Sequence, residues 1–251
     1  GTAAASALYF TFVPQRAWGA NERLNIASVG AGGKGAGEVK DTAAEGCNIV
    51  ALCDVDDNRA AKTYKKFPDA KRYRDFRVML EKHNKDVDAV TIGTPDHWHC
   101  LPMIAACEAG ADVYVQKPIS YDVVEGQAMV AAARKYNRTV QVGLQRRSTP
   151  HLLQARDRFI RSGKLGKIAY VDIHSYYGSP GEWPPNEEPP EYLDWEMYVG
   201  PAPWVDYNPR IHPRKWRACR EFSNGQTGDL CVHFFDVVRY FLDLGWPKRI
   251  S

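Results

Sequence analysis

The 251-residue sequence predicts an α/β fold, a doubly wound parallel sheet of Rossmann type followed by a smaller, here incomplete, α+β domain. Three observations predict it. Short apolar runs of strand length alternate with helix-compatible stretches from residue 26 to residue 142, the pattern of a parallel sheet covered on both faces. A glycine-rich turn, Gly30-Ala31-Gly32-Gly33-Lys34-Gly35, directly follows the first of these runs. The second run ends on an acid, Asp54, about 20 residues beyond the turn.

Each element has a local reason. Residues 26–29 read as a buried strand, and the glycines permit a tight turn into a helix over 34–44 that stops near Gly46. Residues 49–53 form the second strand and 57–67 a polar helix halted by Pro68. Asp75 caps a short helix running to His83; 89–92 is a strand broken by Gly93-Thr94-Pro95; 98–109 is helical and closed by Gly110. A strand over 112–116 precedes Asp122 and Glu125, a capping-box pattern that opens a helix over 123–136, and 140–142 is the last strand of the series. These elements predict a dinucleotide-binding domain over 21–147.

The pattern changes beyond Arg147, where the partial C-terminal domain, 148–251, is expected. A helix over 150–162 leads to 167–177, the first strand with two-residue alternation. Nine prolines between 180 and 213 exclude long helices, while the tryptophans and tyrosines among them argue for an ordered loop packed across a domain surface. Residues 229–242 form the last helix and 246–251 begin a strand. Residues 1–20 are expected to stand apart from the fold. The apolar run 3–13, followed by Pro14-Gln15-Arg16 and Ala17-Trp18-Gly19-Ala20, resembles the back half of a secretory signal, which predicts a periplasmic or secreted protein. The alternative is an arm packed on a neighbouring subunit of a cytoplasmic protein. The run is too short to span a bilayer.

Composition narrows the partners. Hydrophobic residues make up 44% and charged residues 25%, as in a globular protein, and 33 basic against 30 acidic side chains leave a net charge of only +3. No polyanion-binding surface follows from that balance, so nucleic acid is excluded as a partner. The six cysteines include no Cys-x-x-Cys pair and read as small buried hydrophobes. His97, His99 and Cys100 are too crowded and lack a distant fourth ligand, so no metal is expected.

A strand, a glycine turn at Gly30, Gly32, Gly33 and Gly35, a helix and then an acid on the second strand together bind a dinucleotide. Its pyrophosphate lies against bare backbone at the helix N-terminus, and Asp54 accepts hydrogen bonds from the adenosine ribose. A carboxylate there repels a 2′-phosphate, which favours NAD; Lys34 and Arg59 soften that preference and keep NADP as the alternative. Lys117 lies at the C-terminal edge of the sheet, where ligands of such sheets bind, and Pro118 after it suits a cis bond. Asp229 and His233 are four residues apart and share a helix face. On residues alone that pair reads equally as a helix cap with a core-edge histidine or as an acid–base pair.

Four stretches together resemble the Gfo/Idh/MocA family: the turn at 30–35, Thr94-Pro95-Asp96-His97-Trp98-His99, Gln116-Lys117-Pro118, and the segment from Gly228 to Asp236. Gly143-Leu144-Gln145-Arg146-Arg147 and the stretch 195–204 are similar to its secreted bacterial branch. The resemblance implies a Rossmann domain followed by a mixed sheet, and an NAD(P)-dependent oxidoreductase acting on a sugar or cyclitol hydroxyl. In that reading Lys117 hydrogen-bonds the reacting oxygen, His233 is the base, and Asp229 orients it or binds a neighbouring hydroxyl. Thr94, Pro95, His97, Gln116 and Gln145 border the cofactor, with His97 as its contact at this turn, and Arg146, Trp216 and Arg217 reach the substrate; for Trp216 a core role is equally open. The family usually has glutamate where Gln116 stands, so the charge next to Lys117 is missing. An incomplete second sheet and an apolar arm predict a homo-oligomer. Two other functions stay open: an NAD-dependent glycoside hydrolase or lyase working through a transient keto-sugar, and a non-catalytic dinucleotide-binding protein.

Overall fold

The computed structural model describes residues 23–175 and 181–249; the expected signal remnant or arm at 1–20 lies outside them. Six strands form one parallel sheet: β1 Asn25–Val29, β2 Asn48–Cys53, β3 Lys71–Tyr73, β4 Ala89–Ile92, β5 Asp112–Gln116 and β6 Val140–Gly143. Their order is β3-β2-β1-β4-β5-β6, the doubly wound arrangement in which the chain reverses direction at β1. β3 is three residues long, too brief to show as a periodic run in the sequence, and pairs with β2 at the sheet edge. Helices α1 Gly33–Ala44, α2 Asp57–Lys66, α3 Phe76–His83, α4 Cys100–Glu108 and α5 Val123–Lys135 fill the crossovers.

The caps predicted at Asp75 and Asp122 are present, and Asp56, not singled out in the sequence, caps α2 as well. Asp56 accepts from the amide of Arg59, Asp75 from Arg77 and Asp122 from Glu125, at 2.8–2.9 Å, each contributing about 1 kcal/mol. The Glu125 carboxylate reaches back to the amide of Tyr121, one residue before the cap. Val29, Val90, Ile92, Val113 and Val115 bury against Met79, Met103 and Met129 from the covering helices. Each such side chain contributes roughly 1.5–3 kcal/mol, so the sheet is a rigid platform for whatever stands at its ends.

Register determines what stands there. Val29 pairs with Cys53 and with Ile92, Ile92 with Val115, and Gln116 with Gly143. The turns after β1, β2, β4, β5 and β6 therefore open side by side along one carboxyl edge.

The second region is built differently. Helix α6 Pro150–Ala155 runs into a wider turn of π-helical hydrogen bonding, Arg156–Arg161. Within the described residues, the proline-rich stretch from 181 to 213 is ordered, as expected. Its short helix α7 Trp195–Val199 is capped by Asp194, and Leu193, Trp195, Tyr198, Tyr207, Trp216 and Phe222 form a second core. That core docks on the sheet domain through backbone bonds from Asp57 N to Tyr192 O and from Asp194 N to Val55 O. The last helix, α8 Val232–Leu242, is preceded by a π-helical turn, Thr227–Cys231. Two expected strands are corrected. Residues 167–175 and 246–249 form no ladder, because no strand among the described residues lies beside them to exchange hydrogen bonds. The remainder of both predicted strands lies outside the described residues.

Candidate active site

A cleft of about 370 Å³ runs along the carboxyl edge of the sheet and is closed on its far side by the second region. At its centre three glycines touch. A methyl group on Gly35 would stand 1.7 Å from the carbonyl oxygen of Gly30, and one on Gly93 would stand 2.7 Å from Cα of Gly35. Glycine at these positions lets α1 start directly on the strand ends. Gly30 and Gly32 line the cleft, whereas Gly33 and Gly35 shape the turn from behind. Helix α1 has no side-chain cap and no acidic residue in its first turn, so its N-terminal amides suit a pyrophosphate. Lys34 lines the cleft there, and Arg59 crosses the turn at Gly32 and Gly33.

Asp54 faces the cleft beside this turn. One carboxylate oxygen accepts from the amide of Gly32 at 2.7 Å and the other from Asp56 at 2.9 Å, while burial raises its pKa. It braces the glycine turn and lines the cleft, with acceptor capacity left on both oxygens. Beneath it Asp56 pairs with His212 at 2.6 Å, both side chains buried, tying the second region to the start of α2.

Thr94 and Pro95 line the cleft after β4, but His97 does not. Its ring is 3% exposed, packs 4.8 Å from Phe222, and meets the carbonyl of Tyr198 at 2.9 Å. The expected cofactor contact at His97 is thus corrected: the following short turn aims it into the aromatic core and leaves Trp98 on the cleft wall. His99 places its ring between Pro118 O, at 2.6 Å, and Thr94 O, at 3.1 Å, joining the β4 and β5 loops. Burial lowers both imidazole pKa values to about 4, so both rings are neutral near pH 7.

Lys117 leaves the end of β5 on a cis bond to Pro118. Its ammonium donates to Asp229 twice, at 2.6 Å to Oδ1 and 2.8 Å to the main-chain oxygen. Gly228 precedes Asp229 in a tight turn, where a methyl would stand 2.8 Å from Cβ of Asn224. Arg217 Nε lies 2.8 Å from the same Asp229 oxygen, and its guanidinium stacks 4.0 Å over Trp216, which is largely buried but reaches the cleft wall. His233 lines the cleft one turn further on, with Nδ1 buried and without a hydrogen-bond partner among the described residues. Burial, then the charges of Lys117 and Arg146, lower its pKa. The expected orientation of His233 by Asp229 is therefore replaced by a Lys117–Asp229–Arg217 cluster. Gln145 is on the cleft, but Arg146 is not: its guanidinium stacks 4.8 Å over Phe234, so the expected substrate contact there is also corrected.

Two carboxyls join the site without having been singled out in the sequence. Asp96, 2% exposed, accepts from Ser223 at 2.9 Å, and burial raises its pKa to about 6. It lies inside a quoted motif, which was the available signal. Glu38 on α1 is buried, hydrogen-bonds the amide of Gln116, and is raised to about 7, first by burial. Gln116 in turn accepts from the amide of Lys117 at 3.3 Å. Glu38 thus reaches the main chain of Lys117 through Gln116, from a helix 78 residues before that glutamine.

The family model for the NAD-binding Rossmann fold of an oxidoreductase family matches residues 24–144, and the model for that family's C-terminal alpha/beta domain matches 167–248. The chain belongs to the Gfo/Idh/MocA oxidoreductase family. Among Gfo/Idh/MocA-like relatives, levoglucosan dehydrogenase of Pseudarthrobacter phenanthrenivorans is 27% identical over 76% of this chain and 42% of its own length. Inositol 2-dehydrogenase of Salmonella typhimurium is 30% identical over 53% of this chain and 40% of its own. The chain thus spans about two fifths of the length of these relatives. The WlbA dehydrogenase of Bordetella pertussis, solved with NADH and UDP-GlcNAcA, superposes with a TM-score of 0.66 at 21% identity, over 88% of this chain and 55% of that one, and shares the fold. The uncapped helix start, the glycine contacts and Asp54 fit the NAD of the Gfo/Idh/MocA Rossmann domain.

Proposed function

We propose that this protein is an NAD-dependent oxidoreductase acting on a hydroxyl carbon of a sugar or cyclitol. The observation that carries the reading is Lys117, held at the strand end by Asp229, with His233 on the same cleft as the glycine turn. Bound NAD supplies the hydride acceptor. The ammonium of Lys117 has three hydrogens; two are directed to Asp229, and the third is free to bind the reacting oxygen and stabilise charge on it. His233, kept neutral by burial and neighbouring cations, accepts the hydroxyl proton. Trp216, next to these groups, offers an apolar wall for a sugar ring. The names of the levoglucosan and inositol dehydrogenases among its relatives support this substrate class.

The preference for NAD over NADP is supported by Asp54, a carboxylate on the cleft beside the glycine turn, which would repel a 2′-phosphate. The same reading includes export to the periplasm or beyond, supported by the apolar run at 3–13 and checked by cell fractionation, and a homo-oligomer, checked by light scattering. The activity is tested by following NADH formation with a panel of hexoses, anhydrosugars and cyclitols. Reduction of NAD by a member of the panel is expected; a protein that binds neither NAD nor NADP sinks the reading.

A further inference from the structure

The cation beside the reacting lysine has unspent donors. Arg217 is held from two sides, with Nε against Asp229 at 2.8 Å and its flat face on Trp216 at 4.0 Å, and its side chain is 31% exposed. Neither contact uses the two terminal nitrogens, and no N–H of this guanidinium makes a hydrogen bond to a described residue. The residue lines the cleft between Lys117 and Trp216, at the reacting end and away from the glycine turn. A guanidinium fixed this way is a planar fork whose orientation is already set.

The nearby charges do not satisfy that fork. Asp229 is shared with Lys117, which takes both its main-chain oxygen and Oδ1. Asp96 is turned to the hydroxyl of Ser223. His233 is neutral, and Arg146, although stacked on Phe234, adds its positive charge from behind. Lys117 and Arg217 are the cations that line this end of the cleft, and both stand against the single carboxylate Oδ1 of Asp229.

From this geometry we infer that the sugar carries a carboxylate, bound end-on by the terminal nitrogens of Arg217, so that the substrate class is a sugar acid. The inference rests on the oxidoreductase reading above and deepens it. A hydroxyl would use one donor of the fork, whereas a planar carboxylate uses two parallel ones in a charge-assisted pair. The same fork accommodates a phosphate ester, which the test separates.

The test is calorimetric binding to the full chain, first of NAD, then of sugars to the NAD-loaded protein. Failure to bind NAD counts against the parent reading. Given NAD binding, D-glucuronate or D-galacturonate is expected to bind at least about tenfold tighter than the matching hexose, the scale of a charge-assisted bidentate contact. R217Q should abolish the preference while leaving NAD affinity unchanged, and R217K, which keeps the charge without the fork, should retain only a few-fold. Equal binding of uronate and hexose, absence of uronate binding, tighter binding of D-glucose 6-phosphate than of either uronate, or a preference that survives R217Q each overturns the inference. The wild-type comparison decides the matter even if a variant fails to fold.

Discussion

In the sheet half of the molecule, Gly30, Asp54, Gly93 and Lys117 stand where parallel ladders put them, each directly after a strand paired in register with its neighbours. In the second half, Asp229, Arg217 and His212 are located by side-chain pairs that reach across the chain, to Lys117 and to Asp56. The first arrangement is stabilised by a buried apolar core and backbone hydrogen bonds, the second by charges in a partly dry cleft. Damage to the glycine contacts should therefore read out as lost cofactor binding, and damage to the Lys117–Asp229 pair that joins the halves as lost turnover with the cofactor site intact.

The largest effect is expected at the glycine contacts. Gly35→Ala drives a methyl onto the carbonyl of Gly30 and should weaken NAD binding by at least about 100-fold, with overpacking destabilisation on the order of 1–3 kcal/mol, read by NADH fluorescence titration and thermal melting. Lys117→Met should lower turnover by about 10²–10³-fold, as for loss of an oxyanion donor, with NAD affinity within a few-fold of wild type. His212→Ala leaves Asp56 buried without its partner and should cost about 3 kcal/mol in denaturant unfolding, loosening the second half from α2 while the parallel sheet persists by circular dichroism.

A smaller effect concerns pH. Glu38 titrates at about 7 in the fold against 4.5 in the unfolded chain, so its contribution is full below pH 4.5 and lost as pH rises through 7. Asp96, raised from 3.8 to about 6, acts in the same direction at lower pH. His97 and His99 act oppositely: held to about 4 against 6.5, they favour the fold above pH 6.5, and that contribution is lost as pH falls toward 4. Between pH 6 and 8 the Glu38 term should lower stability by about 1 kcal/mol, and Glu38→Gln should flatten that slope in melts across the range. The smallest change expected is Arg147→Ala, which removes an exposed pair with Asp236 and should cost under about 1 kcal/mol.

The same contrast explains what could be read in the sequence. The strand ends, the helix caps and Lys117 were legible because glycines, apolar runs and capping aspartates act over a few residues. Gly93 was visible only as a strand break, since its contact with Gly35 depends on β4 lying beside β1. Glu38 gave no signal: its partner Gln116 is 78 residues away, and nothing in α1 distinguishes it from a surface glutamate. His97 misled because His97 and Trp98 both reach the main-chain oxygen of Tyr198, and only the aromatic core around Phe222 decides that His97 is buried while Trp98 meets the cleft. The pairing of Asp229 with Lys117 likewise depends on a π-helical turn that four-residue spacing does not reveal.

The most direct test compares wild-type protein with Lys117→Met, each loaded with NAD, incubated with the sugar and sugar-acid panel, and denatured so that released NAD and NADH are quantified by mass spectrometry. The account predicts NADH from the wild type with at least one panel member, and a variant that binds NAD and leaves it oxidised. A variant that forms NADH as fast as the wild type would contradict the role given to Lys117, and with it the central claim that one cleft joins the dinucleotide fold to the second region's charges.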